Sequence, residues 1–212
     1  MASRRLSAAI RREQLMSAAL AEFGRRGFHL TQMEHVAAAA GVSKALLYQH
    51  FESKEQLFSE VAQTIVDDLT ARLAASEVEH ASSLERVSGM VATLFDYATA
   101  EPDAWSVIIR HLDKPEVGME LRELRESFGK AAADRLLSRR RRQLDARELA
   151  ANERRALLLV PLIYGSLFSL ISWWLEHPET ERERVEAMAL DFIWLGLERV
   201  RNGERLPRGQ EG

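Results

Sequence analysis

Cysteine is absent from the 212-residue sequence, and its absence excludes a disulfide framework, a zinc site with thiolate ligands and a cysteine nucleophile. A chain without cysteine suits a reducing compartment, so we expect a cytoplasmic protein. The N-terminal stretch "MASRRLSAAIRREQ" has two basic pairs but no apolar core after them. It is therefore not expected to act as a signal peptide.

Motifs that support catalysis are missing as well. The sequence has no Gly-rich phosphate loop, no G-x-S-x-G nucleophile elbow and no H-E-x-x-H zinc motif. Its six histidines are scattered, and "EVEH" (77–80) supplies one Glu-x-x-His where a helical di-metal site needs two and further carboxylates. We therefore expect no enzyme activity, no metal site and no cofactor.

Charge is distributed unevenly along the chain, although the net charge is only −3. Residues 1–50 contain seven Lys or Arg against three Glu, a balance of +4, so the remaining 162 residues carry −7. A basic N-terminal part on an acidic body is typical of a small nucleic-acid-binding module joined to a second domain.

Helix signals follow one another, and the alternating β-branched runs that indicate strands are missing. The sequence therefore predicts an all-α fold. The glycines of "GRRG" (24–27) are expected to end the first helix. Thr31 is the expected N-cap of a second helix, which Gly41 ends. Ser43 is the expected N-cap of a short third helix. Ser53 and Gln56 form an expected capping box before a fourth helix over 54–75. Later helices are expected over about 82–99, 102–112, 117–142, 146–176 and 181–201.

The short third helix has the composition of a DNA-reading element. Two helices joined by a glycine-containing turn form a helix-turn-helix, whose last helix enters the major groove. Helical spacing places Lys44, Ala45, Tyr48 and Gln49 on one face, with Leu46, Leu47 and Phe51 largely opposite. Gln can bond adenine, Ala can contact a thymine methyl, and Lys and Tyr suit phosphates or base edges. The alternative is that Tyr48 and His50 pack against the first helix.

The segment "TQMEHVAAAAGVSKALLYQHFESKEQLF" closely resembles the DNA-binding signature of the TetR family of bacterial transcriptional regulators. The shared features are a Thr at the second helix, Ala-Gly-Val-Ser, a Leu-Tyr-x-x-Phe recognition helix and Ser-Lys-Glu at the fourth helix. The match covers roughly residues 10–60. By resemblance, the DNA contacts are Thr31, Gln32, Ser43, Lys44, Ala45, Leu46, Tyr48, His50 and the phosphate-binding Lys54. Gln32 and Leu46 depart from the family's usual Ser or Thr.

The resemblance implies a helix-turn-helix domain at 1–53 and a helical ligand-binding and dimerisation domain at 54–212. The implied protein is a homodimer that binds a palindromic double-stranded operator as a repressor and is released by a small effector. The shortage of unpaired charge in the apolar helices of the body favours a largely apolar effector. Two alternatives stay open: a regulator that activates transcription, and a constitutive or architectural DNA-binding protein without an effector.

An uncharged run, "ALLLVPLIYGSLFSLISWWL" (156–175), dominates the body. Its length would suit a membrane span, but Pro161, Gly165 and three serines favour a buried helix, so no membrane partner is expected. In a TetR-like layout this helix and the next form a four-helix dimer interface. The interface candidates are Leu167, Leu170, Ile171, Trp174, Val185, Met188, Ala189, Phe192, Ile193 and Gly196.

Aromatic and polar residues between about 61 and 176 are candidates for lining an effector pocket. They are Phe95, Tyr97, Trp105, Arg110, His111, Phe128, Tyr164 and Phe168. For each of them, ordinary core packing is the alternative. The basic run "SRRRRQ" (138–143) is expected to be solvated near a helix C-terminus. Further phosphate or minor-groove contacts are expected from Arg4, Arg5, Arg11 and Arg12.

Overall fold

The computed structural model describes residues 8–77, 81–111, 126, 129–130 and 145–201, and it defines the bounds of eight helices there. No strand occurs among these residues, which agrees with the all-α prediction. The helix predicted over 117–142 and the run "SRRRRQ" lie almost entirely outside the described residues. The helices are α1 Ala8–Leu30, α2 Met33–Ala39, α3 Lys44–His50, α4 Lys54–Ala75, α5 Ser83–Ala100, α6 Pro102–His111, α7 Ala146–Glu176 and α8 Arg182–Arg201.

Serine caps begin α3 and α4, as the sequence predicts. The Ser43 hydroxyl accepts from the Leu46 amide at 3.2 Å, and the Ser53 hydroxyl accepts from the Gln56 amide at 3.1 Å. The Gln56 side chain accepts from the Glu52 amide at 2.7 Å rather than from Ser53 itself. The Gln56 side chain therefore bonds the amide one residue before the N-cap, and not the N-cap amide that a capping box requires. The Ser53 hydroxyl still satisfies an amide of the first turn.

The end of α1 differs from the prediction. The helix continues through Gly24 and leaves helical geometry only at Gly27, with φ 75° and ψ 167°, a combination essentially restricted to glycine. Thr31 is not the N-cap of α2, because Gln32 occupies that position. The buried Thr31 hydroxyl instead donates to the Gly27 and Glu22 carbonyl oxygens, at 2.7 and 3.1 Å. A buried hydroxyl needs such partners, and the break in α1 supplies them.

Gly24 lets α1 lie directly against the start of α6. A Cβ at this position would come 2.8 Å from the Asp103 carbonyl oxygen and 2.9 Å from its Cα. Such distances are sub-van der Waals, so a side chain here would force the two helices apart. The first glycine of "GRRG" therefore permits a close contact between helices, and the second makes the break.

The helix α4 is shared between the two ends of the molecule. Phe58, near its start, packs against Phe23 and Phe28 of α1, with ring centroids 4.9 and 5.0 Å apart. Leu69 and Leu73, further along, are fully buried, and the helix also contacts α5 and α6. These residues belong to one continuous apolar core, so a movement of α4 would displace side chains that pack against α1 at one end and against α5 and α6 at the other.

The inner side of α7 packs against α5, α6 and α8. Its outer side leaves Leu158 and Leu162 about 70% exposed, at 72% and 68%. Among the described residues, Asn152–Glu176 is long and apolar enough to cross a membrane by length and composition alone, a test that core helices of soluble proteins also pass. The buried side consists of Ala156, Val160, Ile163, Tyr164, Leu167 and Ile171.

Candidate nucleic-acid interface

The outward face of α3 has the exposure that the helical spacing predicts. Leu47 is fully buried, whereas the Tyr48 side chain is 45% exposed. The alternative in which Tyr48 packs against the first helix is therefore wrong, although His50 is half-buried. Four neighbours of Tyr48 on the same short helix and its cap are also exposed: Ser43, Lys44, Ala45 and Gln49.

A glycine turn sets the direction of α3 relative to α2. Gly41 adopts φ 66°, in the left-handed region that favours glycine. The Gly41 amide donates to the Ala38 carbonyl at 3.1 Å and the Val42 amide to the Ala37 carbonyl at 2.9 Å. These bonds satisfy the last carbonyls of α2, and Leu47 then anchors α3 in the core. A helix of two turns is thereby held by tertiary contacts rather than by its own propensity.

Lys44 is paired with an acidic residue on this face. Its ammonium forms a salt bridge with the Glu34 carboxylate of α2 and lies 5.7 Å from the centroid of the Tyr48 ring. The side chains of Lys44 and Glu34 are 50% and 54% exposed. The hydrogen bond between them lowers the pKa of Glu34 and raises the pKa of Lys44, so both groups are charged at neutral pH.

Two of the residues predicted to contact DNA are used inside the protein. Thr31 is fully buried, so its hydroxyl cannot reach a phosphate in this conformation. The Lys54 ammonium donates to the carbonyl oxygens of Phe28 and Thr31, at 3.0 and 3.1 Å, and lies 4.3 Å from the Phe28 ring centroid. The predicted direct contacts are corrected for both: Lys54 stabilises the end of α1, where carbonyl groups lack helical partners.

Arg12 is likewise a structural residue. Its guanidinium donates to the His50 carbonyl at 3.0 Å, forms a salt bridge with Glu60 of α4 and lies 4.4 Å from the Phe51 ring centroid. It therefore joins α1, the end of α3 and α4, and the predicted nucleic-acid contact through this side chain is corrected. Arg11 donates to Gln14 at 3.1 Å. The other two candidates, Arg4 and Arg5, lie outside the described residues.

A groove lies between α6 and α7 in the body. Its volume is about 410 Å³. Ile108 and Phe168 supply apolar surface, and Trp105 donates to the Ser172 hydroxyl at 3.2 Å beside it. None of the described lining residues is basic. The lining consists of Ile108, Ile109, Gly165, Phe168, Ser169, Ser172, Trp173 and Glu176.

Only one residue of the predicted pocket set, Phe168, lines this groove among the described residues. Arg110 is exposed, and both Phe128 and the side chain of His111 fall outside the described part of the chain. The remaining four belong to the core, because large aromatic rings bury the most apolar area there. They are Phe95, Tyr97, Trp105 and Tyr164.

The predicted dimer face is divided in two by the structure. One stripe of α8 is buried against α5 and α7, and the adjacent stripe is exposed. Met188, Phe192 and Gly196 are the exposed members of the predicted set. A contact with a second subunit is therefore corrected for the buried members, Leu167, Ile171, Val185, Ala189 and Ile193, whereas Leu170 and Trp174 are half-buried.

Sequence reasoning missed Glu34 at the interface and Leu158, Leu162 and Leu195 on the outer face of the body. Glu34 precedes Lys44 by ten residues and lies on another helix, so no helical spacing rule connects the two. The exposed leucines lie in runs that are apolar on every side, where periodicity does not separate an inner face from an outer one.

A short exposed helix, anchored by one buried leucine and set by a glycine turn on a preceding helix, defines a helix-turn-helix DNA-binding protein. The family model "Bacterial regulatory proteins, tetR family" matches residues 15–61. The N-terminal part of the chain is accordingly similar to the DNA-binding domain of TetR-family bacterial transcriptional regulators.

The relatives include both a transcriptional activator and a transcriptional repressor. The chain is 29% identical over 193 residues to the HTH-type transcriptional activator FasR of Mycolicibacterium smegmatis, spanning 90% of this chain and 84% of FasR. It is 31% identical over 124 residues to the HTH-type transcriptional repressor KstR2 of Rhodococcus jostii, spanning 56% of this chain and 59% of KstR2. The fold is similar to FadR of Bacillus subtilis in complex with stearoyl-CoA, with a TM-score of 0.67, 18% identity and coverage of 86% of this chain and 97% of FadR.

Proposed function

We propose that the protein is a cytoplasmic homodimer that binds a palindromic operator through α3 and is released by a small, largely apolar effector. The exposed, anchored face of α3 is the observation that carries the proposal. Two copies of α3 related by a twofold axis would enter successive major grooves about 34–36 Å apart. The proposed DNA-contacting residues are Gln32, Ser43, Lys44, Ala45, Leu46, Tyr48, Gln49 and His50.

Dimerisation would use the outer apolar face of α7 and α8. Leu158, Leu162, Met188, Phe192 and Leu195 are each at least 59% exposed. Apolar side chains on a stretch of adjacent helix surface mark an interface. The proposed body begins at residue 54, so that α4 connects each dimerisation domain directly to its helix-turn-helix.

The groove between α6 and α7 is the proposed effector site. Its apolar lining residues and absence of a basic group among those described favour an apolar ligand over an anionic headgroup. FadR, which shares the fold, was solved in complex with stearoyl-CoA, and this supports an acyl chain as the class of ligand. An acyl chain or another elongated apolar molecule is accordingly the proposed effector class.

The effector signal would reach the DNA-binding helices through α6. Ile108 and Ile109 of α6 line the groove, and Asp103 at the other end of the same helix touches Gly24 of α1. A displacement of α6 would therefore act on α1 directly and on α4 through their shared core. Shifting a population from 1:99 to 99:1 requires about 5.5 kcal/mol of differential effector binding to the two states.

Replacing Tyr48 by Ala is expected to weaken operator binding by about 1–3 kcal/mol without unfolding the protein, because the ring is exposed on α3. Fluorescence anisotropy with DNA from upstream of the protein's own gene, in excess nonspecific competitor, measures this. Leu84→Ala is the matched control, since Leu84 is 42% exposed on α5. Equal affinities of the two variants would refute the assigned role of Tyr48.

Filling the groove with Ser169→Trp is expected to abolish the effector response and preserve operator binding. Ser169 lines the groove and is exposed, so the larger side chain occupies ligand space without disturbing the core. Operator release by acyl chains of graded length would be compared in both proteins. An unaltered response in the variant would place the effector elsewhere.

The similarity to FasR, a transcriptional activator, supports the alternative that this protein activates transcription. Transcription in vitro from a promoter that contains the operator distinguishes activation from repression. Added protein lowers transcript yield if it represses and raises it if it activates. A constitutive architectural protein would bind DNA with an affinity that no effector alters. We propose no catalytic activity for the protein.

A further inference from the structure

An acidic residue lies on the face proposed to meet DNA. Glu34 is in the first turn of α2, more than half exposed, and its carboxylate is paired with Lys44 across the turn between α2 and α3. DNA is a polyanion whose phosphates dominate protein affinity, so an exposed carboxylate on this face repels the DNA and weakens binding. Its presence there calls for a role that offsets this cost.

Stabilisation of α2 alone does not account for this pair. A carboxylate in the first turn interacts favourably with the helix dipole wherever it points. Glu34 instead holds the Lys44 ammonium against the turn, and the Tyr48 ring lies 5.7 Å from the same ammonium. A cation held between a carboxylate and an aromatic face has lost much of the side-chain freedom that lets lysine follow phosphates.

The state of this lysine decides what it can recognise. A free ammonium that neutralises a phosphate releases a counterion and contributes to the salt dependence on any sequence. A lysine held in a fixed position by a carboxylate that balances its charge contributes little to the salt dependence of DNA binding. Its remaining N–H groups can still donate to the O6 and N7 acceptors of guanine in the major groove.

We propose that Glu34 is a specificity-determining positioning residue, which fixes Lys44 beside Tyr48 so that Lys44 reads a guanine edge instead of a phosphate. This inference rests on the proposed function, in which α3 lies in the major groove. Glu34 itself makes no base contact; it reduces nonspecific binding by balancing the lysine charge.

The test begins by enriching duplexes from a random DNA library with the wild-type protein. Affinities for the enriched duplex and a shuffled duplex are then measured by anisotropy across a salt series. For Glu34→Gln, we expect tighter binding to the shuffled duplex, a salt slope steeper by about one, and a several-fold lower ratio between the two affinities. Glu183→Gln is the matched control, because Glu183 is an exposed first-turn carboxylate on α8.

A double variant, Lys44→Met with Glu34→Gln, provides an independent measurement, because it removes both members of the pair and leaves the local net charge unchanged. We expect binding to the enriched duplex to fall and its preference for one guanine per half-site to relax, whereas the slope on the shuffled duplex changes little. A slope lower by about one on both duplexes would make Lys44 a phosphate contact and overturn the inference.

Two results with Glu34→Gln would also overturn the inference. Behaviour identical to Glu183→Gln would make Glu34 an ordinary first-turn carboxylate. Loss of binding to the enriched duplex alone, with unaltered binding to the shuffled one, would make Glu34 itself a base-reading group. Failure of the proposed function is distinguishable from both, because the wild-type protein would then enrich no sequence.

Discussion

Phe192→Asp is expected to convert the proposed dimer into monomers and to abolish operator binding at concentrations that saturate the wild-type protein. Phe192 is 71% exposed on α8, in the middle of the apolar face that includes Met188 and Leu195. Burying a Phe side chain contributes about 1.5–3 kcal/mol, and a twofold interface contains it twice. The substitution removes this contribution and places two unpaired carboxylates in the interface, whose desolvation costs more.

Light scattering coupled to size exclusion measures the mass, and anisotropy measures the DNA affinity. Leu84→Asp is the matched control, since it introduces the same charge at an exposed apolar residue on α5. A Phe192→Asp protein that keeps the mass of a dimer would refute this interface. Monomers that bind the full operator as tightly as the wild type would instead refute the need for a dimer.

Gly24→Ala is expected to destabilise the protein and to weaken operator binding even without effector. The new methyl group would meet the backbone of Asp103 at 2.8 Å, so α1 and α6 must separate. Overpacking of this kind costs about 1–3 kcal/mol, against which alanine recovers about 0.5–1 kcal/mol of helix propensity over glycine. The separation imitates the displacement of α6 that the effector is proposed to cause.

The control for this substitution is Gly89→Ala on α5. A Cβ at Gly89 has the Ser76 carbonyl oxygen as its nearest contact, at an ordinary 3.6 Å. The same chemical change is therefore expected to raise stability there by about 0.5–1 kcal/mol, and the two variants differ in sign. Thermal unfolding gives the midpoint temperature of each variant. Equal shifts of this temperature for Gly24→Ala and Gly89→Ala would show that the close contact between α1 and α6 does not constrain residue 24.

The extent of sequence prediction differs between elements. The helices α4 and α7 have the predicted bounds, and Ser43 caps α3 as expected, because capping and periodicity are local properties. The break in "GRRG" is at its second glycine, since only there does the chain leave the helix. The first glycine has a role that depends on α6, which is about eighty residues away in sequence.

The predicted site residues divide in the same way. Tyr48 is exposed as its spacing predicts, because Leu47, its neighbour, is apolar and must face the core. Lys54 and Arg12 are basic residues near the proposed interface, and composition alone makes both of them candidates for phosphate binding. Their bonds to the Phe28 and His50 carbonyl groups depend on how α1, α3 and α4 meet, which no local pattern specifies.

The sequence by itself determined the all-α class, the position of the helix-turn-helix and the outward face of α3, because these follow from local spacing, capping and a specific family signature. Tertiary structure decided that Arg12 and Lys54 bond to groups inside the protein, which side of the apolar helices is buried, and that Glu34 pairs with Lys44. The physical reason is that a charge takes the nearest available partner in space, and an apolar helix buries whichever side its neighbours cover.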